Sequence, residues 1–340
     1  MTSESSFKIF KIFEPKCIMV TGGCGFIASN FLLYMVPKYP NIQFINVDKV
    51  DYCSTMTGLS HLPNNYHFYS TNISNTSFIQ YILSHHRVDT IMHFAAQSHV
   101  DNSFGNSISF TQDNVLGTHH LLESARNYGG VARFIHVSTD EVYGEVDIDE
   151  TSTEKSLLNP TNPYAASKAA AEFIVKSYYK SYNIPIIITR GNNVYGPGQY
   201  PEKLIPKFIL ELTQNRKMPI HGKGETIRNF IFVEDVARAF EKVLFHGSIG
   251  QIYNIGTENE HRVIDIAKLL HSKLSLSKTF EDCVDYVEDR PFNDFRYSVD
   301  SRRLLDLGWN TQTTFEDGIR KTIEWYQKTN LDTYFVKFTQ

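Results

Sequence analysis

Apolar and polar positions alternate along the first two thirds of the chain in blocks that switch between short runs and helical spacing. Cys17 to Thr21 is a short apolar run, Gly22-Gly23-Cys24-Gly25 is a turn, and Phe31, Leu32, Met35 and Val36 then recur on one helix face. Phe44 to Val47 is a second run. Further runs at Phe68-Tyr69, Thr90 to Phe94, Arg133 to Val137 and Ile184 to Thr189 are separated by helical patterns around Phe78 to Leu83, Phe110 to Ala125 and Tyr164 to Tyr179. Strands that alternate with helices predict an α/β fold with a doubly wound parallel sheet. In such sheets ligands sit beyond the carboxyl ends of the strands. Three of those ends are small or polar: Ala95-Ala96-Gln97-Ser98, Ser138-Thr139-Asp140-Glu141 and Arg190-Gly191-Asn192-Asn193.

The pattern changes character after Asn193. Tyr195 to Pro201 is rich in glycine and proline, and the rest of the chain mixes helices with shorter strands, as a smaller C-terminal α/β lobe would. Val233 to Leu244 and Ile252 to Ile255 look like one more helix and strand returning to the first sheet, and Thr313 to Tyr326 like an amphipathic terminal helix. The expected organisation is a flexible extension over 1–15, a nucleotide-binding domain over 16–192 to which 232–255 returns, and a substrate lobe built from 193–231 and 256–330.

The strand, glycine turn and helix at Cys17 to Val36 form a dinucleotide-binding unit of the Rossmann type. Gly22 and Gly25 allow a tight turn and close backbone approach, and Phe26 and Ile27 open a helix whose free amides and dipole suit a pyrophosphate. The second run ends at Asp48, about 20 residues past Gly25, where an acid binds a ribose 2′-hydroxyl and disfavours a 2′-phosphate. NAD is therefore expected over NADP. Lys49 beside it weakens that preference slightly.

Composition narrows the ligand class. The chain of 340 residues is 41% hydrophobic and 21% charged, with a net charge of -4, and its pI of about 6.4 gives no basic footprint for nucleic acid or an anionic membrane. A small-molecule ligand is expected. Cys17, Cys24, Cys53 and Cys283 are too sparse for a disulfide framework, and the adjacent pairs His85-His86 and His119-His120 point different ways on a helix, so no metal is expected. No stretch is long enough to span a bilayer. These features together place the protein in the cytoplasm.

Candidate chemistry gathers between Ser138 and Lys168. Tyr164 and Lys168 lie four apart on a helix opened by Asn162-Pro163, so a phenol and an ammonium share one face. A neighbouring positive charge favours the ionised phenol and brings its pKa down from about 10. An isolated pair of this kind is equally an ordinary surface pair; Asp140 and Glu141, two adjacent carboxylates, add acid and base capacity beside it. Lys203, Lys207, Lys223, Arg228 and Arg290 are candidates to face a diphosphate, Arg228 and Arg290 foremost because each lies by turn-like or aromatic sequence where a guanidinium can clamp phosphate oxygens.

These residues carry a resemblance. The glycine turn, Ala95-Ala96, Ser138-Thr139, Tyr164 and Lys168 resemble the extended short-chain dehydrogenase/reductases. More narrowly, HFAAQSHVDNS, VSTDEVYG, NPYAASK, YGPGQYPEKLIPKFI, YNIGTENE and DRPFNDFRY are similar to the nucleotide-sugar 4,6-dehydratases acting on dTDP-glucose or UDP-glucose, over Lys16 to about Tyr326. The resemblance implies Asp140 as acid, Glu141 as base, Tyr164 and Lys168 for the redox step, and Thr139 as the remaining member of the catalytic set. It further implies Gly22, Gly25, Phe26, Ile27, Asp48, Asn72, Ile73, Ala95 and Ala96 for the cofactor, and Ser98, Asn193, Lys203, Leu204, Arg228, Asn254, Arg290 and Asn293 for a nucleotide-diphosphate glucose. A homodimer through helices near Val115 to Ala125 and Ala165 to Tyr179 is implied as well. Two positions depart from the family pattern: Ala28 stands for the third glycine of the turn, and Asn72 for an acid that contacts adenine. A 4-epimerase or decarboxylase of the same family would share the cofactor site, and a non-catalytic NAD-binding regulator is the other alternative.

Overall fold

The computed structural model describes residues 12–274, 277–289 and 292–337. Its centre is a seven-stranded sheet made of β1 (Cys17–Thr21), β2 (Gln43–Asp48), β3 (Tyr66–Ser70), β4 (Thr90–His93), β5 (Arg133–Thr139), β6 (Ile186–Gly191) and a strand from late in the chain, Ile252–Ile255. The order across the sheet is that late strand, then β6, β5, β4, β1, β2 and β3, with every pairing parallel. Strand order reverses between β1 and β4, so their connections leave on opposite sides and open a crevice at the carboxyl ends.

Both faces of the sheet are covered, which is why its strands read as continuous apolar runs. One face buries Phe31, Leu32 and Met35 of helix Phe26–Lys38 and Phe240 and Val243 of helix Val233–His246; Ala28 lies in the same core, its methyl small enough for helix and strand to meet. The other buries Ile79, Ile82 and Leu83 of helix Thr76–His86, Leu121 and Leu122 of helix Gly117–Tyr128, and Val175 of helix Pro163–Tyr182. Each such side chain contributes about 1.5–3 kcal/mol relative to exposure. The helical pattern from Phe110 onward is interrupted: Thr111–Leu116 is a π-helical turn before the α-helix resumes at Gly117.

Residues after Asn193 build a separate core. β7 (Asn193–Tyr195), β8 (Met218–His221) and β9 (Ile227–Phe232) precede the late strand of the main sheet, β10, and β11 (Glu260–Arg262) and β12 (Val284–Val287) come after it. β9 sits between β7 and β11, and β8 pairs β12. Helices Leu204–Thr213, Val263–Lys273 and Phe315–Lys328 pack Phe208, Leu270 and Ile319 against them. Part of the expected N-terminal extension is packed on the main domain. Residues 1–11 fall outside the described part, but Phe13 donates its N–H to the Phe245 carbonyl at 3.0 Å and lies under the Arg133 guanidinium, 4.2 Å from the ring centre.

One buried ion pair seats the helix that bears Tyr164. Tyr164, Lys168 and Glu172 succeed one another at four-residue intervals on the face turned to the sheet, and Arg190 on β6 donates to Glu172 through Nε at 2.9 Å and Nη2 at 2.6 Å. Burial works against the Glu172 charge, but Arg190 outweighs it and holds the carboxyl below its usual range. Glu172→Ala leaves a buried guanidinium unpaired and is expected to cost about 3–5 kcal/mol in urea unfolding at neutral pH. Because the folded carboxyl titrates below the unfolded one, the contribution is full above the unfolded pKa and fades as pH falls through the folded one. A loss below about 1 kcal/mol, the size of an exposed pair, would mean that the pair does not hold the helix.

Candidate active site

The crevice at the carboxyl ends continues into the second lobe as one cleft of about 450 Å³. Its first half is shaped by the turn after β1. Gly22 has φ of +71°, and a Cβ there would lie 2.6 Å from Cα of Ala95, so the turn runs directly against the end of β4. Gly25 precedes the helix in extended conformation and supplies no side chain to cap it, and Gly25, Phe26 and Ile27 line the cleft with the first amides of the helix. Asp48 ends β2 with its carboxylate accepting the N–H groups of Cys24 at 2.9 Å and Val50 at 2.7 Å; burial pushes its pKa up. The kink that turns the Val50 amide back to Asp48 puts Val50 at φ of 60°, a costly conformation for a β-branched residue.

Asn72, Ile73, Ala95 and Ala96 line the same half. The Asn72 carbonyl oxygen accepts the N–H of Ser74 at 2.9 Å, a local turn that fixes the side chain. Lys49, expected to weaken the effect of Asp48, is shared among several acids: its ammonium lies 2.8 Å from Asp113 and 3.1 Å from Asp51, and its charge also favours the ionised form of Asp48. Gln97 also donates to Asp113, at 2.9 Å. Asp113 and Gln97 carry no sequence signal beyond their place near a strand end and a helix.

The reactive centre is built where β5 gives way to a 3₁₀ turn, Asp140–Tyr143, capped by the Thr139 hydroxyl accepting the Glu141 N–H at 3.3 Å. Asp140 is 3% exposed, with Thr139 Oγ1 donating to its Oδ1 at 3.2 Å and Asn192 Nδ2 to its Oδ2 at 2.7 Å. Burial and the charge of Glu141 push its pKa up to about 7, against the two hydrogen bonds. Glu141 is also raised by burial, but Asn162 donates to its Oε2 at 3.1 Å and the cations Arg228 and Lys203 face it. The two carboxylates thus sit in unequal surroundings, which is how adjacent acids come to hold different protonation states.

Asn162 caps helix Pro163–Tyr182 by accepting the Ala165 N–H at 2.8 Å, and Tyr164 and Lys168 both line the cleft beside the carboxylates. One expectation fails here. The Lys168 ammonium donates to the Val137 carbonyl at 2.7 Å, and burial lowers its pKa to about 8. Tyr164 is raised, by burial first and then by Glu141, while a hydrogen bond with Thr139 pulls the other way. Among the described residues, then, the phenol is not acidified by Lys168.

Ser98, Asn193, Lys203, Leu204, Arg228 and Asn293 line the second half. Lys203 Nζ reaches across to the Ser98 carbonyl at 2.6 Å. Arg228 is held by the carbonyls of Ile227 at 2.8 Å and Asp294 at 2.7 Å and by Asn293 Oδ1 at 3.0 Å, with its guanidinium 4.8 Å from the Tyr297 ring centre. Asn254 does not join them. It is fully buried, accepts from the Tyr143 hydroxyl at 2.8 Å and donates to the Asp300 carbonyl at 3.0 Å, which makes it a link within the protein interior. Arg290 lies outside the described residues. Asn162 and Asn192 partner the carboxylates, although their places in the sequence, a helix cap and a strand end, mark neither for that contact.

Among the described residues no three His, Cys, Asp or Glu side chains are placed to hold a metal, and no helix is long and apolar enough to cross a membrane. The fold and cleft are those of a nucleotide-binding α/β enzyme with paired carboxylates at its reactive centre. The chain belongs to the GDP-mannose 4,6 dehydratase family, whose model matches residues 19–322. It is 50% identical over 318 residues to a trifunctional UDP-glucose 4,6-dehydratase/UDP-4-keto-6-deoxy-D-glucose 3,5-epimerase/UDP-4-keto-L-rhamnose-reductase of Arabidopsis thaliana, an alignment covering 92% of this chain and 47% of that protein. The chain thus spans about half the length of these plant relatives. With the dTDP-D-glucose 4,6-dehydratase of Homo sapiens it shares 48% identity, over 92% of this chain and 90% of the human one. The crystal structure of dTDP-glucose 4,6-dehydratase from Streptomyces venezuelae, solved with NAD bound, superposes with a TM-score of 0.87 at 37% identity, covering 92% and 97% of the two chains.

The ionisation of Asp140 can be read directly. Its carboxyl ¹³C shift in ligand-free protein is expected to titrate near 7. Glu141→Gln removes the like charge and lowers that midpoint without returning it to the ordinary range, since burial remains. A midpoint at the ordinary aspartate value of about 3.9 would show that the carboxyl is solvated.

Proposed function

We propose that the chain catalyses NAD-dependent dehydration of a nucleoside-diphosphate glucose to the 4-keto-6-deoxy sugar, a step of rhamnose-type deoxysugar synthesis. The observation that carries the reading is the pair Asp140 and Glu141, both raised in pKa by burial but unlike in their hydrogen-bond and charge partners, beside Tyr164 and Lys168 on one wall of the cleft. An epimerase needs the phenol and the cofactor site but has no use for a protonated acid next to an ionised base.

The residues present fit the cofactor. Uncapped helix amides at Phe26 and Ile27 suit a pyrophosphate, the Gly22 turn leaves no room for a side chain, and the buried Asp48 carboxylate suits a ribose diol better than a 2′-phosphate. Bound NAD supplies the oxidant for carbon 4 and the reductant that completes carbon 6. Tyr164 receives the proton of the carbon 4 hydroxyl, with Thr139 positioned to hydrogen bond the phenol. The burial that raises the phenol in ligand-free protein is offset only when positive charge stands beside it, so proton acceptance by Tyr164 is coupled to occupancy of the cleft. The ketone makes the carbon 5 hydrogen acidic; Glu141 removes it, and Asp140 protonates the hydroxyl that leaves carbon 6 as water. The side chains of Arg228 and Lys203 offer positive charge to the diphosphate from the far wall.

Exposed Leu116 and Phe173, 48% and 61% accessible, stand on the helical faces that the family resemblance assigns to a homodimer, and they support that assembly here. Light scattering is expected to give twice the chain mass of 39.0 kDa; a monomer would sink the reading.

The decisive measurement on the reaction uses purified protein with UDP-glucose and dTDP-glucose, tracking keto-sugar, water loss and reduced-cofactor absorbance. Glu141→Gln retains oxidation at carbon 4 but slows elimination by about 10²–10⁴, so reduced cofactor accumulates. Normal formation of the 4-keto-6-deoxy sugar by both Glu141→Gln and Asp140→Asn would take the base and acid roles from these residues, whereas turnover of the sugar nucleotide by wild-type protein without water loss would make the epimerase or decarboxylase reading the better one.

A further inference from the structure

Two buried side-chain amides stand behind the paired carboxylates, and each is anchored by a backbone N–H. The oxygen and nitrogen of an asparagine are told apart by their partners. Asn192, 4% exposed, accepts the Thr257 N–H on Oδ1 at 3.1 Å, so Nδ2 is the end that meets Asp140 Oδ2 at 2.7 Å. Gly256 makes room for this: a Cβ there would lie 2.3 Å from Asn192 Oδ1. Asn162, 6% exposed, accepts the Ala165 N–H on Oδ1 at 2.8 Å, so its Nδ2 meets Glu141 Oε2 at 3.1 Å. Neither amide can turn over without facing a backbone N–H with its own NH₂ group.

We propose that these asparagines designate the reacting oxygens: Asn192 reserves Oδ2 of Asp140 and leaves Oδ1 to deliver the proton, while Asn162 reserves Oε2 of Glu141 and leaves Oε1 to receive one. The proposal rests on the dehydratase reading. An amide NH₂ is a donor only, so a proton on Asp140 Oδ2 would oppose an N–H. On Oδ1 the proton meets the Thr139 hydroxyl, which donates to the ionised acid and accepts from the protonated one. No partner for Glu141 Oε1 is found among the described residues. In the elimination an O–H bond forms at Oε1 as carbon 5 to hydrogen breaks, and that electron pair becomes the carbon 5 to carbon 6 double bond. The carbon 6 to oxygen bond breaks, and the leaving oxygen takes the Oδ1 proton and departs as water. Asp140 ends ionised with donors on both oxygens.

The charged and titratable groups that bear on the pair come from several elements. Asp140 is faced by Glu141 and Arg228. Glu141 is faced by Arg228, Lys203 and Asp294, and it acts in turn on the phenols of Tyr164 and Tyr297. None of these contacts distinguishes one carboxylate oxygen from the other in the way a fixed N–H does. Asn162 also caps the helix that bears Tyr164, so the base and the phenol are referred to a single side chain.

The two roles of Asn162 can be separated. Serine is an equally good cap but has no second arm for Glu141, and aspartate caps the helix while presenting only acceptors to it. Asn162→Ser is expected to keep the wild-type unfolding midpoint and normal single-turnover oxidation at carbon 4. Its elimination rate falls roughly tenfold, the size of one hydrogen bond to a charged group, and the acid limb of the rate profile moves up in pH because the ionised base has lost a donor. Asn162→Asp shifts that limb further. Carboxyl ¹³C titrations without substrate supply a readout independent of turnover: Asn162→Ser raises Glu141 and leaves Asp140 in place, and Asn192→Ser does the reverse. If wild-type protein dehydrates a sugar nucleotide while the variants leave titrations and rates unchanged, the proposal is overturned alone. It is also overturned if oxidation and elimination fall in parallel, which marks a merely structural role. If the titrations shift as stated but wild-type protein releases no water from either sugar nucleotide, the dehydratase reading falls and the assignment of reacting oxygens goes with it.

Discussion

The bond between Glu172 and Arg190 is the contact on which the geometry of the cleft depends. Helix Pro163–Tyr182 meets the sheet through a stripe of three polar side chains, and only the third is paired with an opposite charge. With that point pinned to β6, Lys168 one turn earlier reaches the Val137 carbonyl and Tyr164 one turn earlier still reaches Thr139. Burying two charges is expensive, and a hydrophobic replacement would hold a helix as well. A bidentate pair adds direction: it fixes both the rotation and the height of the helix against the strand ends, where sliding apolar contacts would not.

The same low-dielectric setting then acts differently on each titrating group. Asp140 is driven toward its neutral form, which suits an acid. Glu141 feels the same penalty but is met by an amide and two cations, which suits a base. Lys168 is held near 8 and Tyr164 is held up, so in ligand-free protein neither is primed for proton transfer.

Much of this was legible in the sequence because it is local. The cap at Asn162-Pro163, the four-residue spacing of Tyr164 and Lys168, the glycine turn and the acid closing β2 each act over a few residues, and all stand where their spacing predicts. What escaped depends on contacts between distant segments. Asn254 lies near the end of a strand just as Asn193 begins one, but β10 is at the edge of the sheet and Asn254 there is tied to Tyr143 and Asp300, which no pattern around Asn254 announces. The ammonium of Lys168 turns to a carbonyl 31 residues away. Lys49 finds Asp113 on the π-helical turn, 64 residues on, a pairing that nothing around Asp48 announces.

Thr139, Asp140 and Glu141 are consecutive, running from the last residue of a central strand into a single 3₁₀ turn. No hinge separates the hydroxyl that touches the phenol from the acid or the acid from the base. Their mutual spacing is set by covalent geometry and by β5, which is flanked on both sides by other strands. Inserting or deleting one residue here would move all three side chains relative to the cleft at once, so this wall changes as a unit or not at all. A change of ligand has to be accommodated on the opposite wall, among the shorter strands and loops that carry Lys203, Arg228 and Asn293.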